Sequence, residues 1–368
     1  MTNASHTTQR LYGGHGKSGK TLLPTTARED APFYILPDTL RSWPYERILN
    51  PSVAPESVEW LSSFPDIILL GTKEYNQSDS GMYSTVSHAV LLPKRCQVMK
   101  VLRSFCDFMH MCYMLEEYTE TLSGKQAVDI CQSSIDAITR PDRCRSEGEP
   151  LVGEITRQFW KRFSTQANQA TQERFIKAWQ SFLDSLIIQA RRRDRDRYIC
   201  SIDEYMAARQ DNIGSQPCFA ILELSLGLDI PQYVMDHPLV AALVKDANTM
   251  IVLANDMCSY KKEVRADAAD YNAIAVVMRQ YKTDVAGGVR WISDIHDEVA
   301  QHFLQIRDDI LNQRGFPSFG ESLDRQIESY VNGLGQWIRG HDEWNFGARR
   351  YFGNEGLEIQ KTRKVFLY

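Results

Sequence analysis

Asn255, Ser259 and Glu263 recur at every fourth position of the segment Asn-Asp-Met-Cys-Ser-Tyr-Lys-Lys-Glu (255–263). On a helix, such positions advance only about 40° and rise about 6 Å per step, so the three side-chain oxygens share one stripe. An amide carbonyl, a hydroxyl and a carboxylate are hard donors. That set suits Mg²⁺, which keeps octahedral positions open for water and substrate phosphate. The preceding Met250-Ile-Val-Leu-Ala254 is apolar all round, as in a helix of a protein interior, where polar groups require partners.

A second acidic group, Glu116-Glu117-Tyr-Thr-Glu120, closes the apolar run Phe105–Leu115. Glu116 and Glu120 lie one turn apart with Glu117 beside them, and a cation would relieve the crowding of like charge. Acidic helix ends are common, so the cluster gains meaning only beside the first motif. Arg209 precedes Gln210–Pro217, a stretch whose Gly214 and Pro217 break helices and so expose backbone carbonyls. Two other motifs read as inert. Gly14–Thr21 (GHGKSGKT) fits a phosphate-loop pattern, but no apolar strand precedes it and Pro24 follows closely. In 190–197 (ARRRDRDR), Asp and Arg are interleaved as on a solvated helix face with its own ion pairs.

The elements that must position these groups are helices. Apolar residues recur at three- and four-residue spacing through Gln97–Thr121, Val152–Ala190, Ile202–Gly227, Leu239–Arg265 and Val289–Arg314, segments too long for strands. With 43% hydrophobic and 24% charged residues among 368, the chain is expected to form one all-α domain over 33–354. A flexible N-terminal tail is expected at 1–32 and a C-terminal tail at 355–368. The net charge of −5 gives no global attraction to nucleic acid. No apolar run reaches the roughly 20 residues of a membrane span, and the polar N-terminus carries no signal core, so a cytoplasmic address is expected. Eight cysteines without a C-x-x-C pair read as small buried residues of a reducing compartment.

In combination, residues 255–263 resemble the N-D-x-x-S-x-x-x-E metal motif of class I terpene synthases, and 116–120 resemble their aspartate-rich motif. Arg350-Tyr351 is similar to the family's terminal Arg-Tyr pair, and Leu36–Val53 looks like the opening of fungal sesquiterpene synthases. The likeness runs from Phe33 to Phe352. It implies a single-domain helical bundle of the class I terpenoid synthase type, with the active-site cavity in the bundle core. It also implies a farnesyl diphosphate substrate, ionised beneath a three-magnesium cluster for which Mn²⁺ could substitute.

The resemblance implies further that Asn255, Ser259 and Glu263 hold one ion while Glu116 bridges two others within the motif shared with Glu117 and Glu120. Arg209 would sense the diphosphate, and Lys262, Arg350 and Tyr351 would donate hydrogen bonds to it. Asp211, Asn212 and Gly214 are candidates for coupling that sensing to ionisation. Tyr113, Trp337 and Trp344 would line the cavity with aromatic faces.

The acidic motif departs from the family in having glutamate where aspartate usually stands; the extra methylene alters how ions sit. A chain-elongating prenyl diphosphate synthase would need a second acidic motif, for which Asp308-Asp309-Ile-Leu-Asn312 is the nearest candidate and lacks the final acid. The remaining alternative is a degenerate homologue acting as an interaction protein. Geranyl diphosphate is a possible shorter substrate, and a homodimer would be unsurprising.

Overall fold

The computed structural model describes residues 33–44, 53–64, 95–195, 201–347 and 350–367. The 1–32 tail, the phosphate-loop-like segment and the side chain of Glu117 lie outside the described residues.

The observed order is β1 (Phe33–Ile35), α1 (Val53–Ser62), α2 (Arg95–Thr121), α3 (Gly124–Thr139), α4 (Leu151–Ser164) and α5 (Gln169–Arg193). There follow α6 (Ile202–Asn212), α7 (Ser215–Leu226), the single-turn α8 (Gln232–Met235), α9 (Pro238–Arg265) and α10 (Ala273–Tyr281). The chain closes with α11 (Val285–Leu311), α12 (Glu321–Gly347), α13 (Gly356–Thr362) and β2 (Lys364–Phe366). Among the described residues no helix is long and apolar enough to cross a membrane.

Helix α9 starts on Pro238, whose missing N–H costs nothing in a first turn, after His237 caps the backbone of Leu239. Its middle, Met250–Ala254, is buried on every side, which matches its all-round apolar sequence. It packs against α6, α10, α11 and α12, whereas α2 packs against α1, α4, α5 and α7. Below the polar ends of these helices runs an aromatic core in which Phe108, Phe159, Phe175 and Trp179 meet mostly edge-on or tilted, the arrangements ring quadrupoles favour.

Two breaks divide the longer periodic segments. The run expected over 152–190 stops at Ser164 because Asn168 caps a new helix, its Oδ1 accepting from the Thr171 N–H at 2.8 Å. At Gly214 the backbone takes φ +72°, so α6 and α7 are separate helices where glycine alone turns without strain. A Cβ there would also press on the Phe182 ring at 3.2 Å.

The C-terminus corrects an expectation. Residues 356–367, read from sequence as part of a tail, fold back as α13 and β2, and β2 pairs antiparallel with β1 so that Val365 is wholly buried. Arg363 anchors the turn by donating to both Asp342 oxygens at 2.9 Å and to Asp38 at 2.7 Å. A seven-residue helix and a three-residue strand are too short to show a period; the buried ion pair decides their place. The thiols behave as expected where described: Cys106, Cys112, Cys131, Cys218 and Cys258 are buried and unbridged, and Cys144 is exposed.

Asp342→Ala leaves Arg363 without its buried partner and is expected to cost about 3–5 kcal/mol in urea unfolding. Glu321→Ala, which breaks an exposed pair with Arg325, should cost no more than about 1 kcal/mol. Equal effects would contradict the anchoring role. Buried His110 has its pKa lowered from 6.5 to about 3, first by burial and then by Arg103. The folded state therefore resists its protonation, so its contribution is present above pH 6.5 and lost as pH falls toward 3. His110→Asn should flatten the acid limb of the stability profile in that window.

Candidate active site

Helices α2, α5, α6, α7, α9 and α12 surround a cavity of about 770 Å³. Its lining divides by height. Glu116 and Glu120 on α2, and Asn255, Ser259 and Glu263 on α9, stand at one end with Lys262, Arg350 and Tyr351. One turn earlier on the same two helices come Cys112, Tyr113 and Ile251, so the wall becomes apolar and aromatic below the charged mouth.

The mouth is ordered by a chain of hydrogen bonds. Arg209, buried at the end of α6, donates through Nη2 to Asn255 Oδ1 at 3.1 Å and to Asp256 Oδ1 at 2.9 Å, and through Nη1 to Asn212 Oδ1 at 2.9 Å. Asn255 in turn donates through Nδ2 to the Tyr351 hydroxyl at 2.9 Å. One amide thus links the α6 guanidinium to the C-terminal tyrosine. Burial opposes the charge on Arg209, but the Asp256 carboxylate more than offsets it, so the guanidinium stays firmly protonated. Asp256 is itself held by the Tyr205 hydroxyl at 2.6 Å and the Ala273 N–H at 3.2 Å.

Asn272 completes the stripe. Its Oδ1 caps α10 by accepting from the Ile274 N–H at 2.9 Å, and its Nδ2 reaches Glu263 Oε2 at 2.9 Å, the Asp256 carbonyl at 2.9 Å and Ser259 Oγ at 3.4 Å. Burial raises the Glu263 pKa, an effect opposed by hydrogen bonds from Ser259 and Asn272. A carboxylate penalised by burial beside a hydroxyl and an amide is a site where a divalent cation would recover the lost solvation. The donor set on α9, faced by Glu116 and Glu120, therefore fits such an ion. Among the described residues no three His, Cys, Asp or Glu side chains are grouped so as to hold a metal ion by themselves.

Of the aromatic candidates, Tyr113 and Trp344 line the cavity and stack at 6.1 Å, with the Arg350 guanidinium 4.7 Å from the Tyr113 ring centre. Trp337 does not line it. Two turns before Trp344 on the same face of α12, it lies in the solid core against Phe105 and Phe219. Asn212 and Gly214 border the cavity, but Asp211 points outward to Gln216, since its neighbours at 209 and 212 occupy the inward face of α6.

The basic run also departs from expectation. Arg192 and Arg193 line the cavity mouth, and Arg193 donates to the Thr119 and Leu122 carbonyls that end α2. The end of α5 docks on the α2–α3 turn, which turns this part of a solvated-looking run toward the acidic motif. Sequence reasoning missed these arginines, Asn272, and the cavity residue His341. Asn272 had no periodic signal, and its role comes from the chain folding back after α9. Asp308 and Asp309 pair with Arg314 away from the cavity.

The pattern of the family described as "Terpene synthase family 2, C-terminal metal binding" matches residues 107–302. The chain is 35% identical over 333 residues to a Δ(6)-protoilludene synthase of Hypholoma sublateritium, covering 90% of this chain and 93% of that one. It is 34% identical to sesquiterpene synthase 14 of Postia placenta, covering 90% and 91%. The solved germacradien-4-ol synthase from Streptomyces citricolor aligns with a TM-score of 0.69 over 84% of this chain and 98% of that chain, at 18% identity. Linalool/nerolidol synthase from Streptomyces clavuligerus, in complex with 2-fluorogeranyl diphosphate, gives 0.69 over 88% and 98% at 16% identity. At those identities the two structures speak for the fold.

Asn272→Ala removes the amide that orients Ser259 and Glu263. Affinity for Mn²⁺, followed by the paramagnetic signal of the free ion, should fall about 10–100-fold. Asn272→Asp keeps the α10 cap oxygen, which separates loss of the cap from loss of the amide. Unchanged Mn²⁺ affinity in the alanine variant would remove Asn272 from the site.

Proposed function

The chain belongs to the terpene synthase family, and we propose that within it the protein is a sesquiterpene cyclase that ionises farnesyl diphosphate and closes the resulting cation into a ring. The observation that carries the reading is the Arg209–Asn255–Tyr351 hydrogen-bond chain at a charged mouth above an aromatic cavity. Members of the family depend on divalent metal. The proposal adds that the metal is Mg²⁺, three ions in all, held by Asn255, Ser259 and Glu263 on one side and by Glu116 and Glu120 on the other. When bound, these ions would neutralise the charge that develops on the departing diphosphate.

The chain's own residues supply the rest. The carbon–oxygen bond breaks with its electron pair going to diphosphate, so donors aimed at those oxygens favour the transition state over the bound ester. Arg209 and Arg350 present planar forks that match phosphate oxygens, and Lys262 adds a compact charge at the mouth. Tyr351 donates a phenolic O–H, since burial raises its pKa and keeps it protonated. Asn212, bonded to Arg209 and next to the Gly214 break, is positioned to transmit a shift of the guanidinium to the cavity wall.

An allylic cation survives only without water or lone pairs nearby. Tyr113 and Trp344 offer π-faces whose quadrupoles attract the cation, and the apolar wall excludes solvent. A distal double bond then attacks the cation, and loss of a proton gives a cyclic hydrocarbon. The names of the fungal relatives support a sesquiterpene substrate length. The candidate second acidic motif, Asp308 and Asp309, pairs with Arg314 away from the cavity, which speaks against the chain-elongating alternative.

Purified protein given farnesyl diphosphate and Mg²⁺ should release diphosphate and a volatile sesquiterpene detectable by gas chromatography with mass spectrometry, and a chelator should abolish both. Asn255→Leu is expected to lower turnover at least about 100-fold, because it removes one oxygen donor and the link between Arg209 and Tyr351. Unimpaired turnover in that variant would refute the assignment of the mouth.

A further inference from the structure

We propose that Arg193, with Asp194 and Gly124, forms a clasp that positions Glu120 and so sets how tightly the mouth takes a divalent ion; this rests on the metal-dependent cyclase reading above. The case begins at the end of α2. Glu120 stands in the last turn of a helix that stops at Thr121, where carbonyls lack partners within the helix and the backbone frays unless other groups meet them. At Gly124 α3 begins, and its first N–H groups have the opposite need.

Consecutive residues at the end of α5 answer both. Arg193 donates through Nη2 to the Thr119 carbonyl at 2.5 Å and to the Leu122 carbonyl at 2.8 Å. Asp194 accepts through Oδ2 from the Gly124 N–H at 2.6 Å. A cation at a helix C-terminus and an anion at a helix N-terminus each have the sign that the local partial charges favour. The approach is close because residue 124 has no side chain. A Cβ there would lie 2.7 Å from Arg191 Cγ, 3.0 Å from Asp194 Oδ2 and 3.1 Å from Arg191 Cα. Its φ is not positive, so space rather than backbone freedom calls for glycine.

The same stretch of α5 reaches the other half of the mouth. Leu186, Gln189, Arg192 and Arg193 all line the cavity, at the spacing of one helix face. Gln189, one turn before Arg193, accepts from Asn212 Nδ2 at 3.1 Å, and Asn212 is bonded to Arg209, which donates to Asn255. A continuous route therefore runs from the last turn of α2 through α5 and α6 to the oxygen stripe of α9. Arg193 is its link to the acidic motif, and fixing that end sets Glu120 in relation to Asn255.

The test compares R193M with the wild type by the paramagnetic signal of free Mn²⁺. Affinity should fall about tenfold, the size expected when a group that orients a metal ligand is lost. The KM for Mg²⁺ should rise by a like factor while kcat for diphosphate release from farnesyl diphosphate changes less than about threefold. The urea midpoint should not move, because Arg193 is exposed. R193K, which keeps one charged donor, should recover part of the affinity. In E120Q, which retains Asn255, Ser259 and Glu263, R193M should lower affinity further by less than about twofold, since the two residues act as one. Unchanged Mn²⁺ affinity in R193M, a full tenfold further loss in the E120Q background, or lost stability with metal affinity intact would overturn the proposal. Should R193M fail to fold, G124A carries the test: it pushes the two helix ends apart and should weaken Mn²⁺ binding in the same direction, and unchanged affinity overturns the clasp. Wild-type protein that releases no diphosphate would instead sink the cyclase reading itself.

Discussion

A buried guanidinium held by a buried carboxylate organises this protein. Taking Arg209 and Asp256 out of water costs several kcal/mol per ion, and the pair persists because both terminal nitrogens of Arg209 and both oxygens of Asp256 find partners. Asp256 also receives the Tyr205 hydroxyl and the first N–H of α10, so α6, α9 and α10 meet on one carboxylate. Arg209 keeps a second hand for Asn255 and a third for Asn212. The mouth is therefore built before any ligand arrives, which is the condition for electrostatic stabilisation without reorganisation at the moment of reaction.

The chemistry makes two demands that no single environment meets. The departing diphosphate needs concentrated positive charge, whereas the cation left on carbon must meet neither water nor a strong nucleophile. Helices α2 and α9 resolve the conflict in the same way: each carries oxygen donors in its last turns and apolar side chains one turn earlier. Tyr113 and Trp344 mark the boundary, touching the Arg350 and Tyr351 layer above and the hydrocarbon wall below.

The all-glutamate acidic motif fits the same frame. Glutamate on α2 reaches further into the mouth than aspartate would, and the arginines at the end of α5 stand beside it. Arg193 also secures the carbonyls that end α2, where a cation is favoured by the helix dipole. The end of the acidic helix is thereby tied to α5.

What the sequence by itself determined was local and periodic. The 3.6-residue period of α2 and α9, the i, i+4, i+8 stripe of Asn255, Ser259 and Glu263, and the Gly214 break all follow from neighbours within a few turns. Contacts between distant segments were decided by tertiary structure. Trp337 and Trp344 are the same residue type on the same face of one helix, yet only the second reaches the cavity, because the facing helices close the space around the first. Asp211 and Asn212 are adjacent polar residues that differ by one step of rotation, and the direction of α6 chose between them. Arg192 and Arg193 read as a solvated run until α5 docked against α2. Asn272 and the C-terminal strand acquire their roles from partners far along the chain, Glu263 and β1, through hydrogen bonds and buried charge that leave no period in sequence.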